Sequence, residues 1–480
     1  MIIDYIYEWA RVRPKQTAVI YNDVTISYVE FAKGIELTRK FLERQRLPQR
    51  STAALLIQNL LACWIVCIAA RAIGLNTLAL KTVPQARQVD VREPSCLIML
   101  DTEVRDLVIP NNINAPVIVV PKTIYSSVAE SELPARPELH APYGDHILYT
   151  SGTTGTHKKL LWHSGDEDRR VTARGKFHKF DERTVLHNLN YAIWTGAGFK
   201  RCLSAWMFGG CVVMDQTENR FEKFFQHYVT NVMLLPLMLD QVLSACATRV
   251  GTSAPTLDIS GGVLKRRQIM RAIDQLRSNV MVGYSSTELV LPPLLSSVCK
   301  EEDVEWLLQQ PQRDVSIVND NGVPTGPNEE GFLRVALNDL DFTSYHEESG
   351  SKSALVDGHF YPGDLAVRRA DGRIRILGRV DDVINLQGQK FAVAPIEQNL
   401  QQHLHADEVC LFGQLNNAGQ EELIVAIQSS SPPSQAKLDD IRKQFKAFEF
   451  VRFHVLDEFP RTDTGKVRRI ILRNRLTKDR

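Results

Sequence analysis

The chain has 480 residues, which is too long for a single hydrophobic core and predicts two or more domains. Its 57 lysines and arginines nearly balance its 56 aspartates and glutamates, leaving a net charge of +1. This balance argues against a protein that holds nucleic acid or an anionic membrane by bulk charge.

The cellular setting is indicated by what the sequence lacks. The N-terminus has no basic start followed by an apolar run, as a secretory signal would have. The most apolar stretch, Leu60 to Ala70, has about half the length of a membrane-spanning helix. No pair of the eight cysteines has CxxC spacing. We therefore expect reduced, mostly buried thiols in a cytoplasmic protein without a membrane span.

Short apolar strands alternate with amphipathic helices from residue 15 to residue 80. Ala53 to Ile57 has the pattern of a buried strand, Asn59 to Arg71 that of a helix, and Thr77 to Leu80 that of the next strand. Such alternation predicts a layered α/β fold with a parallel sheet. Further strand patterns of the same kind occur at Val117 to Val120, Cys211 to Met214 and Val232 to Leu235.

The pattern changes between residues 311 and 377, where short strands are separated by turn residues without a helical period. This predicts a mainly antiparallel, β-rich subdomain. From about residue 382 helices alternate with strands again. We therefore predict a large N-terminal domain at residues 1–381, which includes this subdomain, and a small α+β C-terminal domain at 382–480.

A stretch rich in glycine and hydroxyl side chains follows the strand pattern at Asp145 to Leu148. Backbone N–H groups of such a loop can bind an anion such as pyrophosphate, and a lysine adds positive charge. The spacing does not match the P-loop of NTPases. A plain surface loop has the same composition, so the stretch alone leaves both interpretations open. Its candidate residues are Thr150, Ser151, Gly152, Thr153, Thr154, Gly155 and Lys158.

This stretch, read from Tyr149, resembles the phosphate-loop motif of the acyl-adenylate-forming superfamily, which includes acyl-CoA synthetases, peptide-synthetase adenylation domains and luciferases. Further stretches resemble that family's other motifs in the same order, and the resemblance covers essentially the whole chain. It implies an AMP-forming acid–thiol ligase that uses ATP and Mg²⁺. These stretches are Ser260 to Leu264, Gly283 to Glu288, Tyr361 to Asp364 with Gly378 to Asp382, and Pro460 to Lys466.

The resemblance implies a role for each motif. Glu288 would hold Mg²⁺, and Thr287 would hydrogen-bond the α-phosphate. Lys466 would stabilise the charge that develops when a carboxylate attacks phosphorus. Asp364 would bind the ribose hydroxyls, and Arg379 would approach the ribose and phosphate. The other positions implied to line the nucleotide are Gly261, Gly262, Val263, Gly283, Tyr284 and Ser285.

Each of these motifs also has a plain structural interpretation. A Thr-Glu pair often begins a helix, Gly261 and Asp364 suit ordinary turns, and Lys466 precedes a basic helix.

The resemblance further implies that the C-terminal domain is mobile and rotates about a hinge at Asp381 after adenylation. Gly388 and Lys390 would then line the path of the thiol of CoA or of a phosphopantetheine arm.

Residues 190–199 differ from the usual family pattern. Trp194 and Thr195 stand where acyl-CoA and luciferase relatives often carry an aromatic–histidine pair. No acidic residue lies between Arg183 and Asp215, which disfavours an α-amino acid as substrate. Asn190 and Tyr191 resemble a pair in members that activate aryl acids. These residues and Gly196 are the candidate pocket for a small carboxylic acid, although core packing explains them equally well.

Two other functions remain open from the sequence. A stand-alone adenylation enzyme could load the phosphopantetheine arm of a carrier protein in place of CoA. A non-catalytic relative could bind a nucleotide or an acyl ligand. The joint presence of Lys158, Glu288, Asp364, Arg379 and Lys466 disfavours the non-catalytic alternative.

Overall fold

The computed structural model describes most of the chain in two units, Met1–Val304 with Leu337–Ser353 and Glu305–Ala336 with Ala354–Arg480. The described residues are 1–80, 96–104, 115–122, 142–149, 158–189, 191–217, 221, 227–246, 255–261, 266–276, 278–346, 354–379, 383–386, 389–415, 421–445, 450–461 and 467–478.

The first unit contains both the predicted helix near residue 60 and the strands around it. Its helices are α1 (Ile2–Val12), α2 (Tyr28–Glu43), α3 (Leu60–Ala72), α4 (Ser164–Phe177), α5 (Gly196–Met207), α6 (Pro236–Ala245) and α7 (Arg266–Leu276). Its strands are β1 (Thr17–Tyr21), β2 (Val24–Ser27), β3 (Thr52–Leu55), β4 (Asn76–Ala79), β5 (Cys96–Leu100), β6 (Val117–Val120), β7 (His146–Tyr149), β8 (Lys159–Trp162), β9 (Val185–His187), β10 (Cys211–Met214), β11 (Asn231–Leu234), β12 (Thr256–Ser260), β13 (Asn279–Tyr284) and β14 (Leu294–Ser297). A short 3₁₀ helix at Glu301–Val304 follows.

Eight of these strands form one sheet in the order β14-β13-β12-β11-β9-β10-β1-β2. The strands from β13 to β1 are parallel to their neighbours, and only the outer strands β14 and β2 pair antiparallel. From β9 the chain passes through α5 to β10 on one side, whereas β11, β12 and β13 follow one another on the other side. The order therefore reverses between β9 and β11, and open α/β sheets bind ligands beyond the carboxyl ends at such a point.

The second sheet has the order β6-β5-β3-β4-β7-β8, and only β7 and β8 pair antiparallel. Helix α3 is buried along its whole length, and the Asn59 side chain caps it by accepting a hydrogen bond from Ala62 N–H at 3.0 Å. Trp64 of α3 stacks on Phe199 of α5 with ring centroids 5.6 Å apart, and it meets Trp206 edge-on at 4.9 Å. These aromatic contacts fix α5 in the core.

The second unit begins with an antiparallel sheet formed by its first six strands, followed by a two-stranded and a three-stranded sheet. The strands of the unit are β15 (Val315–Val318), β16 (Glu330–Ala336), β17 (Leu355–Val356), β18 (His359–Phe360), β19 (Asp364–Arg368), β20 (Ile374–Arg379), β21 (Val383–Leu386), β22 (Gln389–Ala392), β23 (Glu408–Leu415), β24 (Glu421–Gln428) and β25 (Val451–Leu456). Its helices are α8 (Val393–Leu404), α9 (Gln435–Gln444) and α10 (Arg469–Lys478). Strands β15 to β20 pair only antiparallel among themselves, as the turn-rich sequence at 311–377 predicts.

The structure confirms the predicted fold class, a mixed α/β protein with large sheets first and smaller sheets afterwards. The predicted boundary between residues 381 and 382 lies outside the described residues and stays a prediction. All eight cysteines are free, and seven of them are buried, with Cys299 exposed. Within the described ranges, every helix is too short or too polar to cross a bilayer.

Candidate functional site

The loops at the carboxyl edge of the eight-stranded sheet bring several predicted site residues together. Ser260 at the end of β12 pairs with Gly283 of β13 in parallel register. Gly261 and Tyr284 therefore leave neighbouring strands at the same edge. Thr287 and Glu288 follow β13 in the next turn, and the loop after β9 carries Tyr191 to Thr195.

Two glycines at this edge leave little room for a side chain. Gly261 has φ +90°, a conformation that side chains disfavour, and a Cβ there would lie 3.1 Å from Leu235 Cδ2. A Cβ on Gly283 would lie only 2.8 Å from Leu295 Cδ1. Both positions thus keep the backbone close to neighbouring leucine side chains, and the approach of a nucleotide to these strand ends stays a prediction.

The Glu288 carboxylate is buried, with 6% of the residue exposed, and it is held at both oxygens. The Tyr345 hydroxyl donates a hydrogen bond to Oε1 at 2.9 Å, and the Ser286 hydroxyl donates one to Oε2. Burial, followed by the negative charge of Glu288, raises the pKa of Tyr345 well above its ordinary value. The phenol therefore stays protonated and acts as a donor to the carboxylate.

Lys158 approaches the same tyrosine from another side. Its Nζ lies 4.8 Å from the centroid of the Tyr345 ring, within the range of a cation–π contact. The next residue, Lys159 of β8, accepts a hydrogen bond at its backbone oxygen from His346 N–H at 2.8 Å. Tyr345 thus contacts both the cation of the predicted phosphate loop and the carboxylate of the predicted metal site.

A buried lysine holds the backbone on both sides of Glu288. Lys200 Nζ donates to the carbonyl oxygens of Thr287 at 2.6 Å and Leu289 at 3.1 Å. Burial, and secondarily the charge of Arg174, lowers the pKa of Lys200 well below its ordinary value. An amine can donate these hydrogen bonds in either protonation state. Lys200 therefore fixes the loop through its N–H groups whether or not it carries a charge.

The segment 341–342 completes this backbone support. Phe342 N–H donates to Glu288 O at 3.2 Å, and the Asp341 carboxylate accepts from Val290 N–H at 2.9 Å. The Arg174 guanidinium donates to Val290 O. Every backbone carbonyl from Thr287 to Val290 thus has a donor, so a loop that is neither helix nor strand is fixed in place.

Sequence reasoning missed Tyr345, Lys200 and Arg174. The tyrosine is 57 residues from Glu288 along the chain, and no local pattern connects the two. Lys200 did give a signal, because it lies with Arg201 in helix α5, whose other residues are uncharged and mostly buried. A charged residue on a buried helical face needs a polar partner, which a backbone loop can supply.

The predicted acid pocket follows β9. Thr195 caps α5: its hydroxyl accepts from Gly198 N–H at 3.0 Å and donates to Ala192 O at 2.8 Å. Trp194 is half-buried and packs against two hydrophobic clusters, one of which contains β3, β4 and β5 residues. A Cβ on Gly196 would lie 2.6 Å from Thr287 Cγ2, so the start of α5 contacts the predicted phosphate-binding threonine directly.

The two predicted ribose-binding residues lie in the second unit and meet there. Asp364 opens β19 and Arg379 closes β20, and the two residues are directly paired across the antiparallel strands. Arg379 Nη1 lies 3.4 Å from both oxygens of the buried Asp364 carboxylate. Arg379 also donates to Pro362 O. The structure therefore forms this pair from residues that the sequence places in separate motifs.

The remaining predicted residues fall outside what the structure describes. Lys390 is described as part of the backbone of β22 only. The others are Thr150, Ser151, Gly152, Thr153, Thr154, Gly155, Asn190, Gly262, Val263, Asp381, Gly388 and Lys466. Their roles stay predictions.

The donor set fits magnesium better than a metal held by protein alone. Among the described residues, no three His, Cys, Asp or Glu side chains cluster as metal ligands would. Mg²⁺ is commonly bound through one or two carboxylates together with substrate phosphates. The single carboxylate of Glu288, with hydroxyl groups and Lys158 nearby, is consistent with a metal that arrives with a triphosphate.

Comparisons with protein families and with other proteins identify relatives of this chain. The family described as AMP-binding enzyme matches residues 6–338. The mitochondrial acyl-coenzyme A synthetase of Homo sapiens is 22% identical over 68% of this chain and 60% of that protein, so the chain spans less than two thirds of that relative. A 2-succinylbenzoate–CoA ligase of Bacillus licheniformis is 23% identical over 97% of this chain and 98% of the relative.

A solved structure shows the same fold. The o-succinylbenzoate CoA synthetase of Bacillus subtilis, in complex with its acyl-adenylate intermediate, matches with a TM-score of 0.80. The match covers 98% of this chain and 97% of that protein at 21% identity. At this identity the likeness establishes the arrangement of helices and strands.

Proposed function

Because the chain belongs to the AMP-binding enzyme family, we propose that it uses ATP to activate a carboxylic acid as an acyl-AMP and then transfers the acyl group to a thiol, with CoA as the leading candidate. The observation that carries this proposal is the arrangement around Tyr345. A buried carboxylate and a lysine ammonium lie on one aromatic side chain, next to a threonine at the end of a parallel sheet. These are the groups that a magnesium triphosphate requires.

In the first step, an oxygen of the acid forms a bond to the α-phosphorus of ATP, the bond from phosphorus to the bridging oxygen breaks, and pyrophosphate leaves. Mg²⁺, when bound, would neutralise charge on the phosphates. Lys158 would stabilise the leaving pyrophosphate, and Thr287 would hydrogen-bond the α-phosphate. Lys466 would lie between the acid and the α-phosphate, where negative charge accumulates.

In the second step, the sulfur of the thiol forms a bond to the acyl carbonyl carbon, loses its proton, and displaces AMP. Gly388 and Lys390 would line the approach of the thiol after a C-terminal domain at residues 382–480 has rotated about Asp381. Asp364 and Arg379 would hold the ribose through both steps. The pairing of these two residues supports this assignment, because the arginine holds a buried carboxylate in place and carboxylate oxygens accept hydrogen bonds from hydroxyl groups.

An apolar or aryl acid suits the proposed pocket. Its described residues Tyr191, Trp194 and Gly196 carry no charge that would pair with a substrate ammonium, and the chain has no acidic residue between Arg183 and Asp215. The relatives named succinylbenzoate–CoA ligases use an aryl-containing acid, which favours the same class here. A cytoplasmic location is part of this proposal.

The test is acid-dependent exchange of labelled pyrophosphate into ATP, measured over a panel of aryl, short-chain and amino acids. We expect exchange with at least one aryl or apolar acid, and thioester formation when CoA is added. Absence of exchange with every acid, despite ATP binding, would contradict the proposal. Exchange without a CoA thioester would retain adenylation and contradict CoA as the acceptor.

A further inference from the structure

Tyr345 occupies a position that none of the predicted motifs includes. Its hydroxyl lies 2.9 Å from Glu288 Oε1, and its ring face lies 4.8 Å from Lys158 Nζ. One side chain therefore contacts the two groups of opposite charge on which the proposed function depends. Because the segment that carries it is bonded to Glu288 O through Phe342 N–H and to Lys159 O through His346 N–H, the tyrosine has little freedom to move away.

We propose that Tyr345 is a positioning residue for magnesium triphosphate, with two separable functions. Its hydroxyl orients the Glu288 carboxylate for the metal, and its ring orients Lys158 for the phosphates. The inference rests on the proposed function, since it assigns the metal to Glu288 and the phosphates to Lys158.

The hydroxyl function follows from the geometry of the carboxylate. Tyr345 and Ser286 donate to different oxygens of Glu288, which fixes the plane of the carboxylate. Each oxygen retains a further lone pair for a metal. A carboxylate already held in one orientation loses less conformational freedom when a metal binds, so the affinity for the metal is higher than for a free side chain.

The ring function is independent of the hydroxyl group. An ammonium over an aromatic face is attracted by the ring quadrupole, and phenylalanine provides this attraction nearly as well as tyrosine. A phenylalanine at position 345 should therefore keep Lys158 in place while it releases the carboxylate. A leucine should release both groups.

The experiment measures the equilibrium affinity for a non-hydrolysable ATP analogue with and without Mg²⁺. For Tyr345→Phe we expect the gain in affinity on adding Mg²⁺ to fall about tenfold, which corresponds to about 1.4 kcal/mol, with the Mg²⁺-free affinity unchanged. For Tyr345→Leu we expect the same loss and, in addition, a Mg²⁺-free affinity lower by roughly two- to fivefold, the size of an exposed cation–π contact.

Tyr7 offers a matched control. Its hydroxyl donates to Glu36 Oε2 at 3.2 Å, also a buried tyrosine–glutamate pair, but one formed between α1 and α2. Tyr7→Phe should lower the melting temperature by about as much as Tyr345→Phe does. It should leave the affinity for the ATP analogue unchanged, both with and without Mg²⁺. The inference would be overturned if Tyr345→Phe and Tyr7→Phe had the same effect on the gain in affinity for the analogue that Mg²⁺ brings. Failure of the wild-type protein to bind the analogue in any condition would instead overturn the proposed function.

Discussion

At the scale of single residues, the sequence motifs name the charged groups of the candidate site but not the side chain that connects them. Glu288 and Lys158 were both assigned from the sequence, and the structure brings them to one tyrosine. That tyrosine could not be predicted, because its contacts depend on how the chain returns after residue 337. Thr195 was predicted as a pocket residue, but both hydrogen bonds of its hydroxyl serve the cap of α5.

The metal assignment predicts the effect of a neutral carboxamide. Glu288→Gln should reduce Mg²⁺-dependent pyrophosphate exchange by about tenfold or more, because one charged ligand is lost while the side chain keeps its volume. One of the Tyr345 and Ser286 hydroxyls can still donate to the amide oxygen, and the other can accept a hydrogen bond from the amide nitrogen, so the melting temperature should change little. Unchanged exchange in a folded variant would show that Glu288 does not hold the metal.

The half-buried position of Trp194 predicts a change of substrate preference. Trp194→Ala should favour bulkier acids over those the wild type prefers, with the Michaelis constant for ATP nearly unchanged. The comparison of kcat/KM over an acid series measures this shift. A uniform loss of activity with a lower melting temperature would mean that the residue only packs the core, where removing a large aromatic side chain costs about 3–5 kcal/mol.

Cysteine exposure predicts a single reactive thiol. Cys299 is exposed, whereas burial raises the pKa of Cys67 and Cys96 to about 11. The thiolate is the reactive form, so the buried thiols should react slowly at neutral pH. Titration of the native protein with a chromogenic disulfide should modify one thiol rapidly, and the other seven only after unfolding. Rapid modification in Cys299→Ser would contradict this assignment.

Elements were predicted more reliably than the loops between them. The strands around residues 53, 77, 117, 211 and 232 all occur, since apolar runs bounded by turn residues have few alternative structures. The loop from Ser285 to Val290 has no such pattern. Its conformation is fixed by Lys200, Asp341 and Phe342, which belong to a helix and a returning segment that local sequence cannot connect to it.

The support from Lys200 predicts a loss of both stability and adenylation. Lys200→Met keeps the length of the side chain and removes the donors, which leaves two buried carbonyl oxygens without their amine. Each unsatisfied group costs about 1–3 kcal/mol. We expect a lower melting temperature. We also expect a loss of pyrophosphate exchange larger than the loss of folded protein explains, because Thr287 and Glu288 lie on the released loop. Lys176, an exposed lysine of α4, provides the matched control: Lys176→Met should change neither quantity.

At the level of the whole molecule, the order of motifs predicted the family and the fold class. It did not reveal that the chain leaves the first unit after Val304, returns at Leu337 and leaves again after Ser353. Such a return depends on contacts between residues distant in sequence, such as Asp341 with Val290. The domain boundary near Asp381 is not tested by these contacts and remains a prediction.

The proposed alternation of the C-terminal domain predicts that the two half-reactions depend on different residues. Lys466→Ala should slow acyl-AMP formation by about 10²-fold or more, the scale of losing one electrostatic stabiliser. Thioester formation from synthetic acyl-AMP and CoA should fall much less. Asp381→Pro restricts the backbone of the hinge and should have the reverse effect. Single-turnover kinetics of each step measures both; equal slowing of the two steps by Lys466→Ala would contradict alternation.

The contact between Gly196 and Thr287 has a consequence for how new specificities can arise in this protein. A Cβ at position 196 would lie 2.6 Å from the threonine, so any larger residue must displace it. In the proposed pocket, a change at Trp194 leaves this contact intact, whereas a side chain at position 196 would move Thr287. Directed evolution of the acid range should keep this glycine constant and vary the residues before it.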